Sequence, residues 1–184
     1  MSNQVATLDL AQQVDTYLRS KARVIDEELA HFRRLRLPFA VEEAANARGP
    51  DGKMLKHQRR VGGENCEDAG KRLLECLSEI ELCKSFAELL QLVERVTAPV
   101  TRFGSLARYD TTLRIGAKLT TPEVNVMPTV VYLHAGTMEG ARNLGFDVDQ
   151  EFLTMEEIAE LHPELLRLKE AYHIENFLCC SLHF

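Results

Sequence analysis

From about residue 8 to residue 36, Leu10, Val14, Tyr17, Leu18, Ile25, Leu29, Phe32 and Leu35 recur at three- and four-residue steps. That spacing lays them along one face of a long amphipathic helix. A helix of this kind gains most of its stability by packing its apolar face, so the rest of the chain must supply a surface for it. Arg33, Arg34 and Arg36 fall in its last turn, where cations suit the carbonyl end of the helix dipole. Pro38 ends this helix or starts the next piece.

The following segments keep the helical period. "VEEAANARGPDGK" reads as a short helix broken at Gly49-Pro50-Asp51-Gly52. Next comes a polar loop in which Lys53, Lys56, Arg59 and Arg60 form the densest basic run of the chain. From Cys66 the pattern resumes, with Leu73, Leu74, Leu77 and Ile80 on one stripe. Ser85 and Glu88 form a capping-box pattern ahead of another helix. Pro99 breaks that helix, and "VTRFGSLARYDTTLRIGAKL" gives a glycine-centred turn and a further helix. Thr121-Pro122-Glu123 predicts a helix start with Pro at the first position. Gly145 reads as a helix stop and Thr154 with Glu157 as a second capping box. The last stretch, from Pro163, closes the chain as one or two helices. "VVYL" has strand propensity, but no convincing partner strand is visible, so it is expected to be helical or irregular. The expected fold is therefore all-α: a long N-terminal helix on a compact helical bundle. The expected division is a helical arm over 1–48, a basic loop over 49–65 and a helical body over 66–184.

Composition narrows the class. Hydrophobic residues make up 45% and charged residues 27%, which suits a folded chain rather than a disordered one. The net charge of −6 argues against coating nucleic acid by charge alone, though a local basic face remains compatible with it. No apolar run reaches the roughly 18–20 residues that span a bilayer. The N-terminus lacks a basic region followed by an apolar block, so no signal peptide is expected. Five cysteines, with no CxxC among them, read as reduced thiols of a cytoplasmic protein.

Two segments share a design: an apolar residue, a short turn with glycine, then a helix whose Ala or Leu faces back. They are Val100 to Ala107 and Leu133 to Leu144, about thirty residues apart. The second resembles the helix-hairpin-helix motif of DNA repair and recombination proteins, which runs Leu-Pro-Gly-apolar-Gly, then Ala and an apolar residue. Leu133, Ala141 and Leu144 match in register; Ala135 and Thr137 stand where the family prefers Gly, and His134 replaces Pro. In the first segment Gly104 matches the second family glycine and Arg102 replaces the first. The resemblance covers roughly residues 97–147 and implies a tandem pair of phosphate-gripping hairpins. "YDTTLRIGAKL" with "VYLHAGTMEGA" also resembles a bacterial family of unassigned function.

The chemistry behind such turns is direct. A tight turn before a helix leaves backbone N–H groups at the positive end of the helix dipole, and small residues let a phosphate approach them. Arg102, Gly104, Ser105 and Arg108 in the first segment, and Gly136 and Thr137 in the second, are the candidate phosphate contacts. Arg114 and Lys118 add local positive charge, and Lys56, Arg59 and Arg60 form a second candidate contact. Contacts of this kind position nucleic acid without reading its sequence. The alternative is that small-residue turns only let helices pack closely.

A base-excision glycosylase is the enzyme reading nearest the hairpin. Tyr109-Asp110-Thr111 echoes the catalytic Asp context of that family, although Asp110 follows Gly104 more closely than the family spacing. Asp110 and His134 are the candidate catalytic residues. No His or Cys pair has zinc spacing, and no phosphate-loop, dinucleotide or nucleophile-elbow motif occurs, so no metal or cofactor is expected. Three functions stand: a DNA-associated protein, a protein-interaction or homo-oligomeric module built on the long first helix, and a base-processing enzyme.

Overall fold

The computed structural model describes residues 9–55 and 59–180. The chain is mostly helical, and its described residues fall into two compact units. One contains the residues up to Val24 together with those from Thr129 onward; the other is Ile25–Pro128.

The long N-terminal helix runs from Leu10 to Arg34 as α1 (Leu10–Tyr17), a π-helical turn (Leu18–Ala22) and α2 (Arg23–Arg34). Asp9 caps it by accepting the Gln12 N–H at 2.9 Å. Thr16 and Ser20 return their hydroxyls to the carbonyls four residues back, Gln12 and Thr16, beside the π turn. The unit boundary falls inside this helix, after Val24.

In the Ile25–Pro128 unit, α3 (Leu37–Ala45), α4 (Gly63–Leu74), α5 (Leu77–Leu82), α6 (Phe86–Thr97) and α7 (Ser105–Leu119) follow. α7 packs on α3 and α6, and α4 packs on α3 and α6. The small buried face of α3, made by Ala40, Val41, Ala44 and Ala45, is what lets its neighbours approach. Phe32, Leu73, Ile80, Leu89, Val93, Ile115 and Val126 complete this core. The helical run expected from Cys66 starts three residues earlier and breaks at Glu75 and Cys76 into α4 and α5. Ser85 caps α6 as expected, accepting the Glu88 N–H at 3.3 Å, but the Glu88 carboxylate reaches back to the Lys84 N–H.

The expected helix at Thr121-Pro122-Glu123 does not form. The Thr121 hydroxyl accepts the N–H groups of Glu123 and Val124, which closes a side-chain turn instead.

The other unit contains α8 (Ala135–Asn143), α9 (Met155–Leu161), a 3-10 helix (Pro163–Leu168), α10 (Ala171–Cys180) and a short ribbon against which α10 packs. "VVYL" corrects the expectation of helix or irregular chain. Val131–Tyr132 is a strand, β1, paired antiparallel with β2 (Phe152–Leu153) in the register Val131 to Leu153. Gly145, at φ 83°, stops α8: its N–H bonds to the Arg142 carbonyl and the Phe146 N–H to that of Ala141. The Thr154 and Glu157 capping box is complete. Val14, Tyr17, Leu165, Ile174 and Phe177 are buried, with Tyr17 edge-on to Phe177 and its hydroxyl 3.1 Å from Nδ1 of His173.

Candidate nucleic-acid interface

The first turn links two packed helices. α6 ends at Thr97, and Val100 and Phe103 turn inward to the core, so the residues between and after them face out. Thr101, Arg102, Gly104 and Ser105 are all exposed. Arg102 holds a left-handed backbone at φ 62°, which an L-residue with a side chain adopts at some cost. Gly104 is the N-cap of α7, in an extended conformation, and no side chain caps the helix. The first intrahelical bond runs from the Arg108 N–H to the Gly104 carbonyl, so the N–H groups of Ser105, Leu106 and Ala107 precede it. A Cβ placed on Gly104 would meet nothing within 4 Å. An open fifteen-residue helix start with an arginine beside it has the electrostatics of an anion site.

The other cations expected here are otherwise engaged. Arg108 donates from Nε to the Thr97 hydroxyl at 3.2 Å. Lys118 Nζ donates to the Arg33 carbonyl at 3.3 Å. Arg114 is only 3% exposed; its Nε donates to Glu28 at 2.7 Å, and its Nη2 lies 4.0 Å from Asp110. Its guanidinium also sits 6.0 Å from the centre of the Phe32 ring. The buried Arg114 thus joins α2 to α7 through the partly covered carboxylates of Glu28 and Asp110. Burial pushes the thiol of Cys66 up from its ordinary range, and the Arg114 charge opposes that shift. Arg59 and Arg60 are exposed in the loop before Val61, whereas Lys56 lies outside the described residues.

The second segment has another local architecture. α8 follows β1 rather than a helix, so this is a strand-turn-helix joint. Ala135 is exposed at its start, but Thr137 is fully buried and its hydroxyl donates to Glu175 at 2.7 Å. A Cβ on Gly136 would lie 2.8 Å from Sγ of Cys179, and one on Gly140 would overlap the Leu178 carbonyl. The small residues of α8 let α10 approach closely. His134 is the N-cap of α8 and is buried; its carbonyl accepts the Met138 N–H at 2.7 Å.

The two turns belong to different units, as do the two candidate catalytic residues: Asp110 on α7, His134 before α8. Among the described residues no group of three His, Cys, Asp or Glu side chains is placed to hold a metal. Sequence spacing alone does not pair the partly covered Glu28 with the buried Arg114, or Thr137 with the buried Glu175. Glu175 inside the apolar run "AYHIENFLCC", and Arg114 one turn after Asp110, were the available signals. No protein-family model, curated protein or solved structure matches the chain.

Proposed function

We propose that this protein associates with nucleic acid by gripping backbone phosphate at the start of α7, without reading base sequence. The observation carrying this reading is the exposed, uncapped N-terminus of α7, with Arg102 beside it and open space around Gly104. A phosphate there would accept the N–H groups of Ser105 and Leu106 while the Arg102 side chain supplies charge. Such contacts set register on the backbone and carry no sequence information. Exposed Arg59 and Arg60 offer further phosphate contacts from the same unit. The packing of Gly136 and Gly140 on α10 leaves α7 as the turn that bears the proposal.

The test is fluorescence anisotropy with labelled duplex and single strands at low salt. Binding is expected in both, weakening steeply as salt is added. Gly104→Glu places a carboxylate at the phosphate position without backbone strain, because Gly104 has an extended conformation and open surroundings. It is expected to weaken binding about tenfold or more, the effect of a buried or close like charge against phosphate. No binding at low salt, or an unaltered affinity in the Gly104→Glu variant, would overturn the reading.

A further inference from the structure

The residues from Asn143 to Leu166 carry Asp147, Asp149, Glu151, Glu156, Glu157, Glu160 and Glu164 without one Lys or Arg. Among the described residues none of these carboxylates forms an ion pair. Three of them, Asp147, Glu157 and Glu160, line an open surface concavity of about 260 Å³ together with Gly145, Phe146 and Leu161. Its floor is apolar: Phe146 is mostly covered, with its ring against His162, and Leu161 is 47% exposed. Its rim is held in place. Glu157 accepts Gln150 on one oxygen and Thr154 on the other, and Asp147 accepts the Asp149 N–H at 3.0 Å. The backbone N–H of Thr154, with the Gln150 and Thr154 side chains, keeps the Glu157 carboxyl below its ordinary range, so Glu157 is charged at neutral pH.

The complement occurs in the same chain. At the corner between α2 and α3, Arg33, Arg34 and Arg36 are exposed. Among the described residues none of these three arginines forms an ion pair; the carboxylate between the two helices, Glu43, is paired with His31. Three residues on, Phe39 is 53% exposed, on the side of α3 away from its buried alanines. A ring flanked by guanidinium groups matches an apolar floor flanked by carboxylates.

We propose that the concavity between the end of α8 and α9 docks the α2–α3 corner of a second copy of this chain, with Phe39 on Leu161 and Phe146 and the arginines on the acidic rim. The chain then self-associates through unlike surfaces, and the contact is electrostatically steered and salt-sensitive.

Sedimentation velocity on the full chain tests this. At low ionic strength the weight-average mass is expected to rise with concentration and to fall back to the monomer value as salt is added. Phe39→Ser and Leu161→Asp, both at exposed positions, are expected to weaken association at least about tenfold, the loss expected for an interface anchor. Arg34→Glu and Glu160→Arg are each expected to abolish it, and the two variants mixed are expected to associate with each other. Circular dichroism on each variant separates lost association from lost folding. A monomer at every concentration and salt would overturn the proposal. So would failure of the mixed charge-swap pair to associate, or a mass rise that Phe39→Ser and Leu161→Asp leave unchanged. A monomer in which Arg34→Glu abolishes duplex binding would reassign the arginine corner to nucleic acid and overturn the proposal too.

Discussion

Arg102 stands in a conformation that favours glycine, with its side chain in solvent beside the start of α7. The left-handed backbone of a residue with a Cβ costs roughly 1–2 kcal/mol, while glycine loses about 0.5–1 kcal/mol more backbone entropy on folding. Arg102→Gly is therefore expected to leave the fold about 0.5–1 kcal/mol more stable, read as a raised urea midpoint with an unchanged slope. A destabilised variant would mean that the arginine side chain contributes to folding, which would remove it from the phosphate reading. Arg114 is the opposite case. It is buried, with Glu28 on its Nε and Asp110 one turn away. Arg114→Met leaves the partly covered carboxylates of Glu28 and Asp110 without their buried cation and is expected to cost about 3 kcal/mol, the lower end for breaking a buried pair. Lys118→Met, on the same helix with its ammonium on a backbone carbonyl, is expected to stay within about 0.5 kcal/mol. Equal costs in urea unfolding would show that the Arg114 cluster holds nothing together. Before folding these two cations look alike, since both are basic residues following one turn; which is buried depends on where α2 lands.

At the scale of elements, α8 and α10 meet through missing side chains. Gly140→Ala drives a methyl into the backbone carbonyl of Leu178, where nothing flexible can yield, and is expected to cost about 1–3 kcal/mol or more. Gly136→Ala meets the end of a cysteine side chain instead, so it is expected to cost less and to be relieved by Cys179→Ala. Paired thermal melts of the single and double variants check both. If Gly136→Ala were not relieved, the close approach would lie elsewhere. The elements that were legible beforehand have local causes. The long first helix follows from its three- and four-residue apolar steps, and the start of α9 from Thr154 and Glu157 bonding each other. β1 was not legible, because Val131 pairs with Leu153 across a whole helix and a two-residue strand leaves almost no periodic trace. The turn at Thr121 misled because its hydroxyl bonds forward in a turn much as it would at a cap. The second glycine turn read as a phosphate hairpin because glycine permits both a ligand and a neighbouring helix to come close. Only the position of α10 shows which of these Gly136 meets.

On the scale of the whole molecule, one unit is discontinuous in sequence. α1 belongs with the residues from Thr129 onward. Tyr17 meets Phe177 and His173, Asp15 pairs with Arg167, and Lys21 donates to the Cys180 carbonyl. A fragment of residues 129–184 is therefore expected to lack cooperative unfolding by circular dichroism, and to regain it when residues 1–24 are supplied. The fragment 25–128 is expected to fold by itself, since its core closes within those residues. Cooperative folding of 129–184 alone would contradict the discontinuous core. The start of α7, the proposed phosphate grip, lies wholly in 25–128. The chain carries a net charge of −6, so any nucleic-acid affinity has to come from a local site rather than from bulk attraction.

That locality makes the central claim measurable. The slope of log binding constant against log salt is compared for the full chain and for Arg102→Gly on the same duplex. The full chain is expected to bind with a negative slope, of about 0.9 for each phosphate neutralised. Arg102→Gly is expected to bind more weakly with a slope shallower by about one, at a stability no lower than that of the parent. Absence of binding at low salt, or the same slope in both proteins, would contradict the assignment of phosphate to the start of α7.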